Sequence, residues 1–342
     1  MEKFTKKPDF LTKYEVIISD YLKSSVLSYN GNISKYINNY FGWDNKKRHS
    51  YQGKAFRPAM CITLCDSLSG DIGAALPCSI SVELVHNFSL IHDDIEDNDK
   101  LRRHQPTLWT IWGIPKALIT GNSILVLGNQ KLEKLLDYGI SKQKLFLSQK
   151  LLTESYLKMM EGQFLDISFE KKSKISKGEY LKMIGLKTGA LIECSVMLGA
   201  ISSNKNLTKS DLNLISDFGK DIGLLFQIRD DILGVWGTDK TGKPVGGDIR
   251  KKKKSLPMIL TINSNSTYDK DINEIMNKTK IEDNDIDKFI DIMEKIEIRK
   301  KCDEIAEEYL IKIQDTISKI PTSNKYKKTF NEITNFLMYR EV

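Results

Sequence analysis

Residues 81–97 read SVELVHNFSLIHDDIED, and this stretch decides the fold class. Its apolar side chains recur at intervals of three or four residues, at Leu84, Phe88, Ile91 and Ile95. That spacing is typical of a helix that is buried along one face. The stretch therefore predicts an amphipathic helix with a run of carboxylates at its C-terminal end.

The helical period continues through the rest of the chain. Thr208 and Asp211 form a capping-box pattern, and apolar residues follow it at helical spacing as far as Ile232. None of the eight prolines, which break helices, lies between Lys116 and Lys243. No strand alternation of comparable length is present, so the sequence predicts an all-α protein.

Composition excludes several classes of protein. The 342 residues are 40% hydrophobic and 28% charged, which is enough for a sizeable core and excludes disordered and collagen-like chains. The net charge of +7 suits an anionic ligand but is small for a nucleic-acid-binding protein. The longest apolar stretch, 190–201, is interrupted by Glu193, so we expect no membrane span.

The five cysteines lack a CxxC pair and mostly lie in apolar stretches. We expect them to be small buried side chains of a protein in the reducing cytoplasm. The N-terminus has no apolar segment of the kind found in signal peptides, so we expect no export.

Asp93 and Asp97 are four residues apart and share one helix face. Their repulsion costs roughly 0.2–0.5 kcal/mol unless a cation lies between them. Mg²⁺ suits the position, because it accepts one or two carboxylates and shares its other positions with water and phosphates. A solvated acidic surface is the ordinary explanation for such a run. The apolar opposite face and the adjacent Arg102 and Arg103 weaken that explanation here.

A second acidic run lies in 226–234, which reads FQIRDDILG. Gln227 and Asp231 share a helix face, but the pair Asp230 and Asp231 alone would be weak support for a binding site. Because a glycine-flanked loop and the basic run 251–254 follow directly, we interpret the segment as part of a second site of mixed charge.

Basic groups lie elsewhere in the chain. Only eight of the 52 basic residues are Arg, and planar, two-pronged Arg is hard to replace in phosphate recognition. Pro58 suits a first helical turn, so Lys54 and Arg57 lie near a helix N-terminus that favours an anion. Further polar segments are 163–166 and 187–189. Two carboxylate faces and separate basic groups are what a site for two diphosphates needs.

These motifs, in this order, resemble the trans-polyprenyl diphosphate synthase family, from about Gly53 to Ser255. The resemblance implies the isoprenoid synthase fold, a single large helical bundle around a central cavity with both acidic faces at one end. It implies one domain over 1–342, with a motif-bearing core at about 53–255 and C-terminal helices in 256–342. It also implies three Mg²⁺ ions per active site and a homodimer.

The activity implied is Mg²⁺-dependent ionisation, condensation and elimination, which joins isopentenyl diphosphate to an allylic diphosphate of C5 to C15. By the resemblance, the metal residues are Asp93, Asp94, Asp97, Asp166, Asp230 and Asp231. The allylic diphosphate contacts Arg102, Lys187, Lys243 and Lys253. Isopentenyl diphosphate contacts Lys54, Arg57, His86 and Arg103. The allylic cation is stabilised by the Lys187 carbonyl, Thr188 and Gln227.

The sequence departs from the family pattern at several positions. Ala55 replaces a common arginine, and Asn122 stands where the family often has aspartate. Gly234 replaces the third aspartate of the second motif, so Asp230 has no carboxylate at i+4, and Asp248 is a candidate to complete the metal shell through water. The first motif is intact, so we expect activity.

Phe88 and Ser89 are the candidates that set the length of the product. A small Ser89 one turn before Asp93 with bulky Phe88 beside it resembles the archaeal type of geranylgeranyl diphosphate synthase, with a C20 product. Farnesyl diphosphate, C15, is the alternative product.

Other functions remain open at this stage. A terpene cyclase needs no second diphosphate site, so Lys54, Arg57 and Arg103 argue against it. A catalytically silent regulatory subunit of a heteromeric synthase would not need an intact first motif. An HD-type phosphohydrolase needs more histidines than the four present here.

Overall fold

The computed structural model describes residues 8–43, 55–103, 105–237 and 245–340. Helices form 78% of the protein, which confirms the all-α prediction. The two strands within the described residues are very short, β1 (Leu101–Arg102) and β2 (Gln105–Pro106), and they pair antiparallel directly after the first acidic motif.

Three helices lie near the N-terminus: α1 (Asp9–Lys13), α2 (Glu15–Leu27) and α3 (Ser34–Tyr40). The central helices are α4 (Phe56–Ser67), α5 (Ile72–Glu96), α6 (Leu108–Trp112), α7 (Ile114–Lys131), α8 (Lys142–Glu170), α9 (Lys177–Ile184), α10 (Ala190–Ser202) and α11 (Lys209–Trp236). A 3₁₀ segment, Leu132–Tyr138, follows α7, and a π-helical turn, Gly185–Gly189, joins α9 to α10.

The C-terminal part consists of α12 (Gly247–Arg250), α13 (Leu256–Ile262), α14 (Asp269–Asn277), α15 (Asp283–Lys295), α16 (Ile298–Lys319) and α17 (Asn324–Tyr339). Helix α16 packs along α11, and α17 contacts both. In the centre, α5 packs against α4, α7 and α10, and α10 packs against α11. The single-domain assignment stays a prediction.

The ends of the two motif-bearing helices agree with the local sequence. Helix α5 begins after Asp71, whose side chain accepts a hydrogen bond from the Gly73 backbone N–H at 2.8 Å. Helix α11 begins with the predicted capping box, in which Thr208 and Asp211 each accept from the other's backbone N–H. Both helices are thus fixed at their N-terminal ends, and both carry their aspartates near the C-terminal end.

Two helical stretches, Ile72–Glu96 and Lys177–Ser202, are long and apolar enough to cross a membrane by length and composition. In each, most of the apolar window is buried inside the protein, 83% and 72% respectively. They are therefore core helices of the bundle. All five cysteines are buried with free thiols, as predicted. The cytoplasmic location stays a prediction.

Candidate active site

The two acidic motifs face the same cavity. It has a volume of about 820 Å³, and its lining includes Asp93 from α5, Asp97 directly after α5, Asp166 from α8, and Asp230 and Asp231 from α11. A neighbouring cavity of about 830 Å³ shares several lining residues with it, namely Asp97, Asp166, Lys187, Lys253 and Lys254. Carboxylates that are far apart in sequence therefore line the same cavity.

Asp93 is the most strongly perturbed carboxyl of the first motif. Burial raises the pKa of Asp93 to about 7, with a smaller upward contribution from Asp97, while Lys187 opposes the shift. Burial also raises the pKa of Asp97. Both carboxyls are held where their negative charge is poorly solvated, which favours a cation nearby.

The neighbouring Asp94 has a protein partner. It is only 3% exposed, and its Oδ1 accepts a hydrogen bond from Nε of Arg102 at 2.7 Å. Burial raises the pKa of Asp94 to about 6 and Arg102 opposes that shift. The structure therefore uses Asp94 to hold Arg102 at the edge of the cavity.

Lys187 lies in the π-helical turn, a local widening of the helix that is frequent at functional sites. Its Nζ lies 2.6 Å from Oδ2 of Asp166 on α8. Helix α8 passes very close to this turn at Gly162. A Cβ on Gly162 would lie only 2.2 Å from the backbone N of Lys187, so a larger residue would not fit there. Burial favours neutral Lys187, but Asp166 and Asp93 outweigh burial and raise its pKa.

A chain of hydrogen bonds connects the π-helical turn to α11. Thr188 Oγ1 donates to Gln227 Oε1 at 2.8 Å, and Gln227 Nε2 donates to Asp231 Oδ1 at 2.8 Å. Oδ2 of Asp231 accepts from the Tyr180 hydroxyl at 2.7 Å and from the Leu256 backbone N–H at 3.0 Å. Asp231 is 2% exposed, so these three donors take up both oxygens of a buried carboxylate.

Basic groups form another part of the cavity wall: Arg57, His86, Arg102 and Arg103. Burial lowers the pKa of Arg57 to about 10, and its Nε is buried without a hydrogen-bond partner in the described part of the chain. Burial, then the positive charges of the neighbouring arginines, lowers the pKa of His86 well below its ordinary value. His86 is thus a neutral hydrogen-bonding group beside strong cations.

A buried polar network beneath these groups was missed from the sequence. Glu83 is 7% exposed and accepts a hydrogen bond from Asn87 at 3.2 Å, and Asn87 accepts one from Tyr40 at 3.0 Å. Burial raises the pKa of Glu83, while Arg57 opposes that shift. A glutamate within an apolar helix face, one turn before His86, was the available sequence signal.

Arg340, directly after α17, was also missed. Its guanidinium lies 4.3 Å from the Phe226 ring centroid, and Nη2 donates to the Phe226 carbonyl at 3.2 Å. The same Nη2 is 3.7 Å from Oδ1 of Asp230. The rarity of Arg in this chain could have pointed to it.

The remaining residues predicted from the sequence include the two candidates that set product length. Phe88 is 4% exposed, and its ring centroid is 4.6 Å from that of His92. Phe88 and Ser89 both line the cavity. Lys253 lines it as well, whereas Lys54 and Lys243 lie outside the described residues.

The donor set suits Mg²⁺ that is shared with a ligand. In the described ranges, no group of three or more Asp, Glu, His or Cys side chains could hold an ion by itself. Instead, the i,i+4 pair Asp93 and Asp97 and single carboxylates from other helices line a cavity that also holds lysines and arginines. Mg²⁺ commonly binds one or two carboxylates and completes its shell with water and phosphate oxygens.

Residues 46–293 match a family model described as polyprenyl synthetase. The chain belongs to this family. The family membership predicted from the motifs is therefore confirmed. This family is Mg²⁺-dependent.

Other polyprenyl synthetases resemble the chain over different lengths. It is 37% identical over 230 residues to the farnesyl diphosphate synthase of Mycobacterium tuberculosis, a match that covers 66% of this chain and 62% of that protein. It is 32% identical over 292 residues to the geranylgeranyl diphosphate synthase of Saccharolobus solfataricus, covering 84% and 86%. The crystal structure of a polyprenyl synthetase from Streptomyces coelicolor superposes with a TM-score of 0.88 at 26% identity, covering 96% and 98%.

Asp93 should make the metal-free protein less stable as the pH rises. The folded protein keeps a proton on Asp93 up to about pH 7, whereas an unfolded chain loses it near about pH 4. The folded state therefore binds more protons in this window, and stability falls across it with rising pH. In Asp93→Asn this contribution is absent, so the wild-type melting temperature should fall relative to that of the variant between pH 5 and pH 8 in EDTA.

Asp287→Asn, which changes an exposed aspartate on α15, is the matched control and should follow the wild type. Parallel plots of melting temperature against pH for the wild type and Asp93→Asn would contradict the raised pKa of Asp93.

Proposed function

We propose that the chain is a Mg²⁺-dependent prenyltransferase that condenses isopentenyl diphosphate with an allylic diphosphate of C5 to C15. The product is a short-chain all-trans prenyl diphosphate, which we assign as geranylgeranyl diphosphate, with farnesyl diphosphate as the alternative. One observation carries the proposal: carboxylates from α5, α8 and α11 line the same cavity as Arg57 and Arg103. Two anionic groups can then bind side by side.

The acidic end suits the allylic diphosphate. Asp93, Asp97, Asp166 and Asp230 line the cavity, and Lys187, Lys253 and Arg102 line it with them. Three Mg²⁺ ions held there would neutralise the negative charge of the leaving diphosphate. The lysines and Arg102 add charge-assisted hydrogen bonds to the same oxygens. Charge that develops as the C–O bond breaks is thereby stabilised, which lowers the barrier.

The other end suits isopentenyl diphosphate. A buried guanidinium N–H without an acceptor, as at Nε of Arg57, is costly, and a phosphate oxygen would satisfy it. Neutral His86 can donate a further hydrogen bond, and Arg103 adds charge. Lys54 and Lys243 lie outside the described residues, so their proposed roles in diphosphate binding rest on the sequence resemblance alone.

Between the two diphosphates the reaction forms an allylic cation, which oxygen atoms with partial negative charge can stabilise. The C–O bond of the allylic substrate breaks, and the double bond of isopentenyl diphosphate attacks the resulting cation to form the new C–C bond. The released diphosphate then takes the proton that restores a double bond. Oxygen atoms of Thr188, Gln227 and the Lys187 carbonyl can stabilise the cation, and Asp231 fixes Gln227 in place.

Turnover by the purified chain tests this function. With Mg²⁺, isopentenyl diphosphate and each of the C5, C10 and C15 allylic diphosphates in turn, we expect prenyl diphosphates to form, and EDTA should abolish their formation. Asp97→Asn should lower kcat at least tenfold, since it removes charge next to the leaving group. Consumption of an allylic diphosphate without isopentenyl diphosphate would indicate a terpene cyclase. No turnover would indicate a regulatory subunit.

The length of the product tests the role of Phe88. Phe88→Ala removes a buried ring from the cavity wall, so the major product should become longer by one or more isoprene units. Ser89→Phe should have the opposite effect, because it adds bulk next to Phe88. Product length is read by chromatography after phosphatase treatment, and an unchanged distribution in both variants would remove these residues from the proposal.

We also propose that the protein is a homodimer through an apolar face on α7 and α8. The exposed side chains on this face lie at helical spacing: Ile119, Val126, Phe146, Leu157, Met160, Phe164 and Ile167. Contiguous exposed apolar surface commonly marks an interface. Phe146 and Phe164 are 69% and 71% exposed, which is unusual for phenylalanine in a monomer.

Light scattering coupled to gel filtration should give twice the chain mass for the wild type. Phe146→Glu places a charge in the proposed interface and should shift the protein to monomer at micromolar concentration. Ile311→Glu changes a similarly exposed apolar side chain on α16, 66% exposed, and should remain dimeric. A monomeric wild type, or a dimeric Phe146→Glu protein, would refute this interface.

A further inference from the structure

The side-chain amide of Gln227 has two ends of opposite polarity, and only one of them can stabilise an allylic cation. The oxygen carries partial negative charge, whereas the NH₂ group would oppose a positive charge. Nε2 donates to Oδ1 of Asp231 at 2.8 Å, and Oε1 accepts from Thr188 at 2.8 Å. Whatever fixes the Asp231 carboxylate therefore decides which end of the amide lies beside Thr188.

Tyr180 on α9 is the side chain that holds Asp231. It is fully buried, and its hydroxyl donates to Oδ2 of Asp231 at 2.7 Å. The Leu256 backbone N–H donates to the same oxygen at 3.0 Å. With Oδ2 held by these two donors, Oδ1 is directed at Gln227. An ionised carboxylate only accepts hydrogen bonds, so Gln227 can meet it only with its NH₂ group.

The elements that carry these groups are held at fixed distances from each other. A Cβ on Gly223 would lie 2.5 Å from Cα of Gly189, so the backbones of α11 and the π-helical turn touch one helical turn before Gln227. Helix α9 is fixed at its start by a capping box that lies just before Tyr180. A change in the hydrogen bonds is therefore expected to turn side chains and leave the helices in place.

Tyr180 lies behind the cavity wall. The lining includes Thr188, Gln227 and Asp231, whereas Tyr180 is fully buried and is not part of it. Its hydroxyl has no route to a ligand in the cavity except through the Asp231 carboxylate. The motifs in the sequence assigned no role to Tyr180.

We infer that Tyr180 is a positioning residue for the condensation, which turns the Gln227 oxygen towards the allylic cation by holding Asp231. This inference rests on the proposed function, because it needs a cation in the cavity. Loss of the hydroxyl should leave diphosphate binding intact and should weaken only the stabilisation of positive charge.

Two ligands with the same diphosphate separate these effects without turnover. Dimethylallyl thiolodiphosphate has an uncharged tail, and 2-(dimethylamino)ethyl diphosphate carries a protonated amine where the cation would form. Isothermal titration calorimetry with Mg²⁺ gives a dissociation constant for each. Tyr180→Phe should weaken binding of the amine about tenfold or more and that of the thiolodiphosphate less than about threefold. In turnover, kcat should fall while the KM of both substrates stays within about threefold.

Tyr14→Phe is the matched control. Tyr14 is 4% exposed, and its hydroxyl also donates to an aspartate, Asp66, which does not line the cavity. The variant should bind both ligands within about twofold of the wild type, because additivity fails only between residues that share partners. A general effect of losing a buried tyrosine hydroxyl would appear in this variant as well.

A double-mutant cycle tests whether Tyr180 acts through Gln227. Gln227→Met removes the amide and keeps the length of the side chain. In that background, Tyr180→Phe should weaken binding of the amine by less than about threefold further, because the group that it positions is absent.

Circular dichroism checks the folding of each variant, and Asp231→Asn decides the case if Tyr180→Phe does not fold. The oxygen of Asn can accept from Tyr180 and Leu256, so its NH₂ group faces Gln227 and turns that amide over. Binding of the amine should then weaken at least about tenfold more than that of the thiolodiphosphate. Equal weakening for the two ligands would overturn the inference.

For a folded Tyr180→Phe protein, unchanged binding of the amine, equal weakening for both ligands, or full additivity with Gln227→Met would each overturn the inference and leave the proposed function intact. A wild-type protein that binds neither ligand with Mg²⁺ would instead overturn the proposed function, and this inference with it.

Discussion

The cost of holding several partly desolvated carboxylates in one cavity is the constraint on which the rest of this site depends. Asp93, Asp97, Asp166 and Asp230 line one cavity, and burial raises the pKa of the first two above ordinary values. Lys187 and Lys253 compensate only in part. The helical bundle thus stabilises an arrangement of like charges that added cations would neutralise, and the surrounding core provides the stability that such an arrangement costs.

The two adjacent aspartates of each motif have different roles, although the sequence treats them alike. Asp93 faces the cavity, whereas Asp94 points at Arg102 and holds it. Asp230 lies near the cavity and Arg340, whereas both oxygens of Asp231 accept hydrogen bonds from Tyr180, Gln227 and Leu256. Neighbours on a helix differ in direction by about 100°, so one residue of each pair can face ligand and the other the protein.

The basic part of the cavity wall shows a similar division of tasks. Arg57, His86 and Arg103 face the cavity, and a buried layer of Glu83, Asn87 and Tyr40 lies behind them. Glu83 opposes the positive charge of the arginines and so makes their burial less costly. Tyr40 belongs to α3, so the N-terminal helices take part in shaping the site.

The sequence by itself determined the all-α class, the start of α11 at its capping box, and the helix faces that carry Asp93 with Asp97 and Gln227 with Asp231. These features depend on the helical period and on contacts within one or two turns, which are local. Only the tertiary structure decided which aspartate of each pair faces the cavity, that Glu83 and Arg340 belong to the site, and that Asp248 occupies the space beside Gly234. Those outcomes depend on burial and on contacts between residues 8 to 114 positions apart, and local sequence does not fix either of them.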